Sequence, residues 1–375
     1  MSKATQVTLS IAFLLVGGCV PPEKPPSGRA VRVAVLQGAN TLTLSSRSTL
    51  TIKDGASGKV LHTSRRASSV TVASSSGGIS VAGKTQSSRS LNVKSTSDKI
   101  SLNGKTYPGS FQILRRGGGL LAVNIVDLDT YLKAVVPSEM LPTWPHEALK
   151  AQAVICRSFV LFNALRNGSK DYDITSTTLV YNPDKRDPRT DRAVDATKHV
   201  VLFCRGELLL SYFCTSCGGF TEYAVNVWGG EGEFPSPVEC PFCREASDYR
   251  WRATIPLPDF QRKLRSAEIA SASSIAVHKR STSGGRITAL RVQSGDGEKV
   301  LGINRFRMTM GPDIIRSGFF DMEVKQGSIS FRGRGWGHGV GMCQRGAKVL
   351  AERGDSFESI LKYYFPGART RRLKW

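Results

Sequence analysis

Thr143-Trp144-Pro145, then His146-Glu147-Ala148-Leu149-Lys150-Ala151-Gln152-Ala153-Val154-Ile155-Cys156-Arg157, and a stop at Asn167-Gly168 decide the fold class. Pro suits a first helical turn and Gly the position past the last one, so the spacing predicts a helix to about Arg166. Leu149, Ala153, Cys156, Val160 and Ala164 recur at helical spacing and are expected to face a core. Lys150 and Arg157 lie two turns apart and are expected on one side. Upstream the pattern is different. Val31-Arg32-Val33-Ala34-Val35, Thr41-Leu42-Thr43-Leu44, Ser69-Val70-Thr71-Val72 and Ile79-Ser80-Val81 are short runs punctuated by Gly, Ser and Asn, which is the signature of half-buried strands joined by turns.

Working outward, residues 31–126 read as a β-rich domain and 127–375 as a mixed region. Strands are expected at Val200–Phe203, Leu208–Tyr212 and Ile287–Val292. A last helix is expected to be capped by Asp355, with Glu358 completing a capping box, and to end at Pro366. The fold class is α+β: a β-rich N-terminal part packed with a mixed α/β part, with an active-site cleft expected between them.

The chain has 375 residues, with 52 Lys+Arg against 30 Asp+Glu, a formal charge of +22. That excess points to an anionic partner, and nucleic acid, anionic lipid and acidic polysaccharide all satisfy it. The N-terminus narrows the choice. Lys3 precedes the apolar run Ile11–Val16, which ends in Gly17-Gly18-Cys19; this is too short to span a bilayer and is similar to a bacterial lipoprotein signal over 1–19. Export follows, with lipidated Cys19 as a membrane anchor and residues 20–30 as a Pro-rich tether. Outside the cytoplasm, nucleic acid drops out and wall polymer comes forward.

Two motifs carry chemistry. In Gly333-Arg334-Gly335-Trp336-Gly337-His338-Gly339-Val340-Gly341-Met342-Cys343-Gln344 every second residue from 333 to 341 is Gly. If extended, one edge is bare and open to a flat ligand or a neighbouring backbone, while Arg334, Trp336 and His338 share the other. In Val135-Val136-Pro137-Ser138-Glu139-Met140, Glu139 stands ahead of the long helix among apolar neighbours; desolvation there would keep a carboxyl protonated, as a general acid requires, although a helix-capping or Lys-pairing role fits its position equally. Cys214-Thr215-Ser216-Cys217 and Cys240-Pro241-Phe242-Cys243 form two C-x-x-C pairs, spaced slightly beyond the usual zinc-ribbon range and compatible with either a metal or disulfides.

Val136–Met140, Ala148–Val154, Asp187-Pro188-Arg189-Thr190, Cys217-Gly218-Gly219-Phe220-Thr221, Gly335–Met342 and Tyr363-Tyr364-Phe365-Pro366-Gly367 together resemble the stage II sporulation protein D family of wall-remodelling proteins. The resemblance covers about Val31 to Gly367. It implies a lytic transglycosylase acting on peptide-stripped peptidoglycan glycan strands, with Glu139 as the acid and Lys150, Gln152, Arg157, Trp336, His338, Gln344 and Tyr363 as substrate-binding residues. Hydrolytic glycosidases usually need two carboxylates; one suffices here, and no second carboxylate stands out. The resemblance also implies a structural zinc on Cys214, Cys217, Cys240 and Cys243 in an insert at 212–245, partner amidases that strip stem peptides, and, as the alternative function, a non-catalytic wall-binding modifier that activates an amidase. Cys156 and Cys343 depart from the family's residues, and a disulfide between them is expected; Cys204 has no evident partner.

Overall fold

A computed structural model describes residues 30–65, 68–230, 234–269, 271–295 and 297–374. The signal at 1–19 with Cys19, and the tether up to Arg29, lie outside the described residues. Strand content of 40% against 25% helix, in several separate sheets, makes the fold α+β.

The chain divides into two compact units. The first runs to Ser211 and takes in Ala351–Ile360 and the chain from Gly367. Its seven-stranded sheet has the order Ile174–Thr175, Ala30–Ala39, Gly119–Asp127, Ser110–Arg116, Ser90–Ser95, Leu50–Asp54, Val60–Ser64. A six-stranded sheet contains Thr41–Ser45, Val70–Ser75 and Gly78–Val81, where the sequence places strands. The alternation is physical: Thr41 and Thr43 are exposed, while Leu42 and Leu44 are buried. Strand Gly119–Asp127, buried almost throughout, touches Thr41–Ser45 and Val70–Ser75 and so joins the two sheets.

That strand feeds helix α1 (Leu128–Glu139). Asp127 caps it, its carboxylate accepting the Thr130 N–H at 3.0 Å and satisfying one of the free donors of the first turn. Helix α2 (His146–Arg166) follows with Pro145 as N-cap. It is buried on all sides from Ala151 to Leu161, so the expected single core-facing stripe widens to a wholly buried helix; Ala164 is only half-buried. Among the described helices α2 alone is long and apolar enough to cross a membrane, but 72% of that window is buried inside the protein. Helix α3 (Pro188–Ala196) starts at the Asp-Pro-Arg-Thr motif: Asp187 caps it through the Arg189 N–H at 2.8 Å, and Pro188 takes the first position. Hydrogen bonds from Arg189 hold the half-buried Asp187 carboxyl down at about 2. Strand Val200–Cys204 lies between Glu207–Leu208 and Ala368–Arg372 in a small sheet.

The second unit holds Tyr212–Leu350 and Leu361–Pro366. Strands Phe213–Cys214 and Met342–Cys343 pair in parallel. Two three-stranded sheets follow, one of Arg250–Pro256, Ser328–Arg334 and Phe320–Lys325, the other of Ala272–Arg280, Ile287–Ser294 and Gly297–Gly302. With helices α4 (Ala224–Trp228), α5 (Leu257–Arg265) and α6 (Ile303–Met310), they form a core that includes Trp251, Phe260, Leu290, Phe306 and Phe331. The strand expected at Leu208–Tyr212 shrinks to Glu207–Leu208.

Two helices close the chain, α7 (Gln344–Glu352) and α8 (Phe357–Tyr364), separated by Gly354 at φ 95°. The cap of α8 is one residue later than expected. Ser356, not Asp355, accepts the Ser359 N–H at 3.3 Å, and Glu147 of α2 accepts the Phe357 N–H at 2.9 Å.

Candidate active site and cysteine centre

Glu139 is the last residue of α1 rather than a residue ahead of the first helix. Pro137 sits inside the last turn of the helix, where it has no N–H to offer the carbonyl four residues back. The Glu139 carboxylate accepts the Val180 N–H at 2.6 Å. Burial pushes its pKa above the ordinary carboxyl range, against the opposing pull of that hydrogen bond and of Lys185. Beneath lies an aromatic wall: Tyr131 and Tyr181 stack at 4.8 Å, and the Tyr181 hydroxyl donates to Asn124 Oδ1 at 2.9 Å. Asn124 is itself fixed by donating to the carbonyls of Pro108 and Ser110. Tyr131, Tyr181 and Asn124 were not foreseen; Tyr131 and Glu139 stand eight apart on one helix, a spacing that becomes informative once α1 is recognised.

Three expected substrate contacts also lie in this unit. Gln152 is fully buried and meets Cys156 Sγ at 3.2 Å, and the charge of Glu139 reaches Cys156 and raises its thiol further. Glu139, Cys156 and Gln152 therefore form one neighbourhood. Lys150 pairs with Glu147 at 2.7 Å and lies 5.6 Å from the centre of the Phe357 ring.

Arg157 requires a correction, because none of its surface is exposed. Its guanidinium donates to the carbonyls of Val194 and Val200 at 3.2 and 3.1 Å and reaches Asp129 at 3.4 Å. It ties α2 to α1, α3 and strand Val200–Cys204, and no ligand can touch it. Arg157→Ala is accordingly expected to cost about 3–5 kcal/mol in urea unfolding, since the carbonyls it serves would be left buried and a cavity opened. Fully folded variant with a changed substrate KM would contradict this assignment.

The glycine-rich stretch in the second unit also differs from expectation. Strand covers only its two ends, up to Arg334 and at Met342–Cys343, and between them Gly335, Gly337, Gly339 and Gly341 have φ of 77°, 112°, 87° and 74°, values that favour glycine. The chain's own backbone fills the bare edge: a Cβ at Gly341 would sit 2.1 Å from the Tyr212 carbonyl oxygen, and one at Gly335 would sit 2.7 Å from the Gly218 nitrogen. Trp336 carries the Arg316 guanidinium 4.4 Å from its ring centre. The His338 ring lies 4.9 Å from that of Trp228. Its Nδ1 accepts the Val340 N–H at 3.0 Å, and it hydrogen-bonds the backbone of Phe213. Burial and the charges of Arg307 and Arg286 push His338 down to about 3, so the imidazole is neutral with both nitrogens engaged. Gln344 is buried at the start of α7, and the Tyr363 hydroxyl donates to the Glu239 carbonyl at 2.6 Å.

A buried carboxylate that the sequence did not single out also lies here. Glu222, next after the Cys-Gly-Gly-Phe-Thr motif, accepts from Tyr223 N–H, Asn226 Nδ2 and Ser281 Oγ at 2.8–2.9 Å. These bonds make it a hub of local structure.

The cysteines regroup. Cys217, Cys240, Cys243 and Cys343 place their sulfurs within 4.8 Å of one another, all buried. Cys343 therefore takes the place expected for Cys214, and it does so because strand Met342–Cys343 pairs beside Phe213–Cys214. Cys214 is buried with its Cβ packed against Gly337. The expected Cys156–Cys343 disulfide is absent; both are free thiols, in different units. Tetrahedral zinc at Zn–S of about 2.3 Å requires sulfurs roughly 3.8 Å apart, and Cys217 and Cys243 stand at 3.7 Å. Backbone N–H groups of Cys217 and Gly346 point at Cys343 Sγ at 3.3 and 3.4 Å, the outer hydrogen bonds that a bound thiolate uses. The donor set fits a metal ion.

Comparison with known proteins gives the following. A family model described as stage II sporulation protein matches residues 116–203, and one for a domain of unknown function matches residues 242–341. An uncharacterised protein of Brachyspira hyodysenteriae is 34% identical over 281 residues, covering 73% of this chain and 75% of that one. The stage II sporulation protein D of Bacillus amyloliquefaciens is 29% identical over 265 residues, 66% and 74% of the two chains. The amidase enhancer of Bacillus subtilis is 27% identical over 335 residues; the match covers 74% of this chain but 46% of that protein.

Proposed function

The chain belongs to the stage II sporulation protein D family, and on that footing we propose that it is a lytic transglycosylase of peptide-stripped peptidoglycan, with Glu139 as its single acid and base. The function is a cell-wall one; the finer reading is supported above all by the raised carboxyl at the end of α1. Protonated Glu139 gives its proton to the glycosidic oxygen as the bond to C1 of the muramic residue breaks. The C6 hydroxyl of the same residue then bonds to C1, and its proton returns to Glu139, closing a 1,6-anhydro ring with no water consumed. A half-buried carboxyl whose proton is held more tightly than usual, yet which can still ionise, suits both halves of that cycle.

In the same reading Cys217, Cys240, Cys243 and Cys343 hold a structural zinc. A zinc ion held there by the four cysteines would brace the fold around the glycine-rich segment and would supply no chemistry, since four thiolates leave no open position. The lipoprotein-like Cys19 would hold the protein to a membrane, and amidases that strip stem peptides would supply its substrate.

The experiment is product analysis. Purified protein is incubated with peptide-free glycan strands in heavy-oxygen water, and the ends are read by mass spectrometry. Anhydro-muramic ends without label are expected; labelled reducing ends would replace transglycosylation by hydrolysis. A second reading, a non-catalytic modifier that activates an amidase, is favoured by the amidase enhancer among the relatives, and it predicts no new ends from this protein alone.

A further inference from the structure

The sheet of Arg250–Pro256, Ser328–Arg334 and Phe320–Lys325 has one apolar face and one cationic face. Trp251, Ile255, Ile329 and Phe331 alternate inward to the core. On the outer face the antiparallel register sets Arg250 directly opposite Arg334, and Arg252 directly opposite Arg332. All four are exposed, and among the described residues none has a carboxylate partner. Like charges facing each other across a ladder destabilise a sheet; Asp321 stands opposite Arg332 on the third strand, one acid against four arginines, so the face stays strongly cationic.

The pairs lie in a groove of about 640 Å³, which Arg280 also lines. Its aromatic wall includes Phe319, whose ring carries the Arg334 guanidinium 4.6 Å from its centre. Among the described residues lining it the one acid is Asp321, 92% exposed, opposite Arg332 in the ladder and 3.7 Å from Arg280. Charges therefore repeat about every 7 Å along the strands and about 5 Å across them, on planar forks suited to carboxylates.

We infer that this groove is a binding site for a carboxylate-bearing glycan strand, held by Arg250, Arg252, Arg332 and Arg334 on a sheet of the second unit, apart from the residues of the first unit that surround Glu139. The choice of a carboxylated strand rests on the proposed substrate, because a strand stripped of peptides bears a free lactyl carboxylate on each muramic unit. The groove would hold a long strand while another part of it is cut, so its loss should affect long strands more than short fragments.

The test is equilibrium binding by the full chain, in a Glu139→Gln background so that strands stay intact. Probes are peptide-free strands, the same strands with methyl-esterified carboxyls, and polyphosphate of similar length. Arg252→Gln with Arg332→Gln is expected to weaken strand binding about tenfold, and esterification to weaken wild-type binding equally but the double variant little further. Melting temperature should change little, because losing the Arg252–Arg332 repulsion offsets losing the Asp321 neighbour of Arg332; Arg250→Gln with Arg334→Gln provides a second, independent pair. Unchanged binding in both pairs, equally tight binding of esterified strands, or tighter arginine-dependent binding of polyphosphate would each overturn the assignment. Cleavage is scored separately with intact Glu139. Arginine-dependent binding without anhydro ends refutes the transglycosylase reading alone, and anhydro ends with arginine-independent binding refute the groove alone.

Discussion

Glu139→Gln is expected to lower strand cleavage by about 10²–10⁴-fold, the usual worth of a positioned general acid and base, while the protein stays folded. Gln keeps the acceptor that the Val180 N–H requires and loses only the proton. The sign of the pH response follows from the same environment. Burial raises the Glu139 pKa above its unfolded value, so the folded state favours the protonated form. Below the unfolded pKa ionisation costs nothing; as pH rises through the raised pKa, stability contributed by the neutral form is lost. Wild type should therefore lose both kcat and stability as pH climbs through that window, whereas Glu139→Gln should be inactive throughout and, above the window, at least as stable as wild type. A pH series of rates and melting temperatures checks both. A variant with wild-type rates, or one less stable than wild type only at high pH, would remove Glu139 from the chemistry.

The second large effect concerns the cysteines. Protein purified in the presence of zinc is expected to hold about one ion per chain, and Cys343→Ser to reduce that to near zero and lower the melting temperature by about 10 °C, as expected for several kcal/mol of metal-linked folding energy in a chain of this size. Cys214→Ser is the discriminating control. Its sulfur lies outside the cluster, so metal content should be unchanged and any loss of stability small. Metal retained without Cys343, or lost without Cys214, would restore the grouping that spacing alone suggests. Metal analysis of the three purified proteins settles the choice.

That reversal shows where sequence reasoning reaches and where it stops. Strands at 41–45 and 70–75 were legible because alternation of Leu and Val with Thr is itself the cause of a half-buried strand. The long helix was legible from its Pro and Gly boundaries. Helix α1 was hidden by Pro137, which marks a boundary in the sequence yet lies within the last turn of the helix. Arg157 was misread because two cations seven apart look the same on a wet face as in a core; only the partners from α1, α3 and the strand at 200–204 distinguish them. Cys343 was missed for a related reason. C-x-x-C is a local signal, but a tetrahedral site is assembled by tertiary pairing, and the strand that supplies its fourth sulfur lies about a hundred residues beyond the second pair. The alternate glycines were read as the edge of a ligand site; the group that approaches them is the chain's own backbone at 212–218.

The parallel pairing of Phe213–Cys214 with Met342–Cys343 has a consequence for how such a chain can change over time. The polypeptide leaves and returns at adjacent points, and the cysteine cluster fastens that doorway with sulfurs from both sides of it. Everything between is an excursion with a closed neck. Beyond the stretches that carry the neck's own cysteines it can be lengthened or trimmed without rerouting the strands and helices that carry Glu139, so that carboxyl and the arginine-lined sheet can change independently.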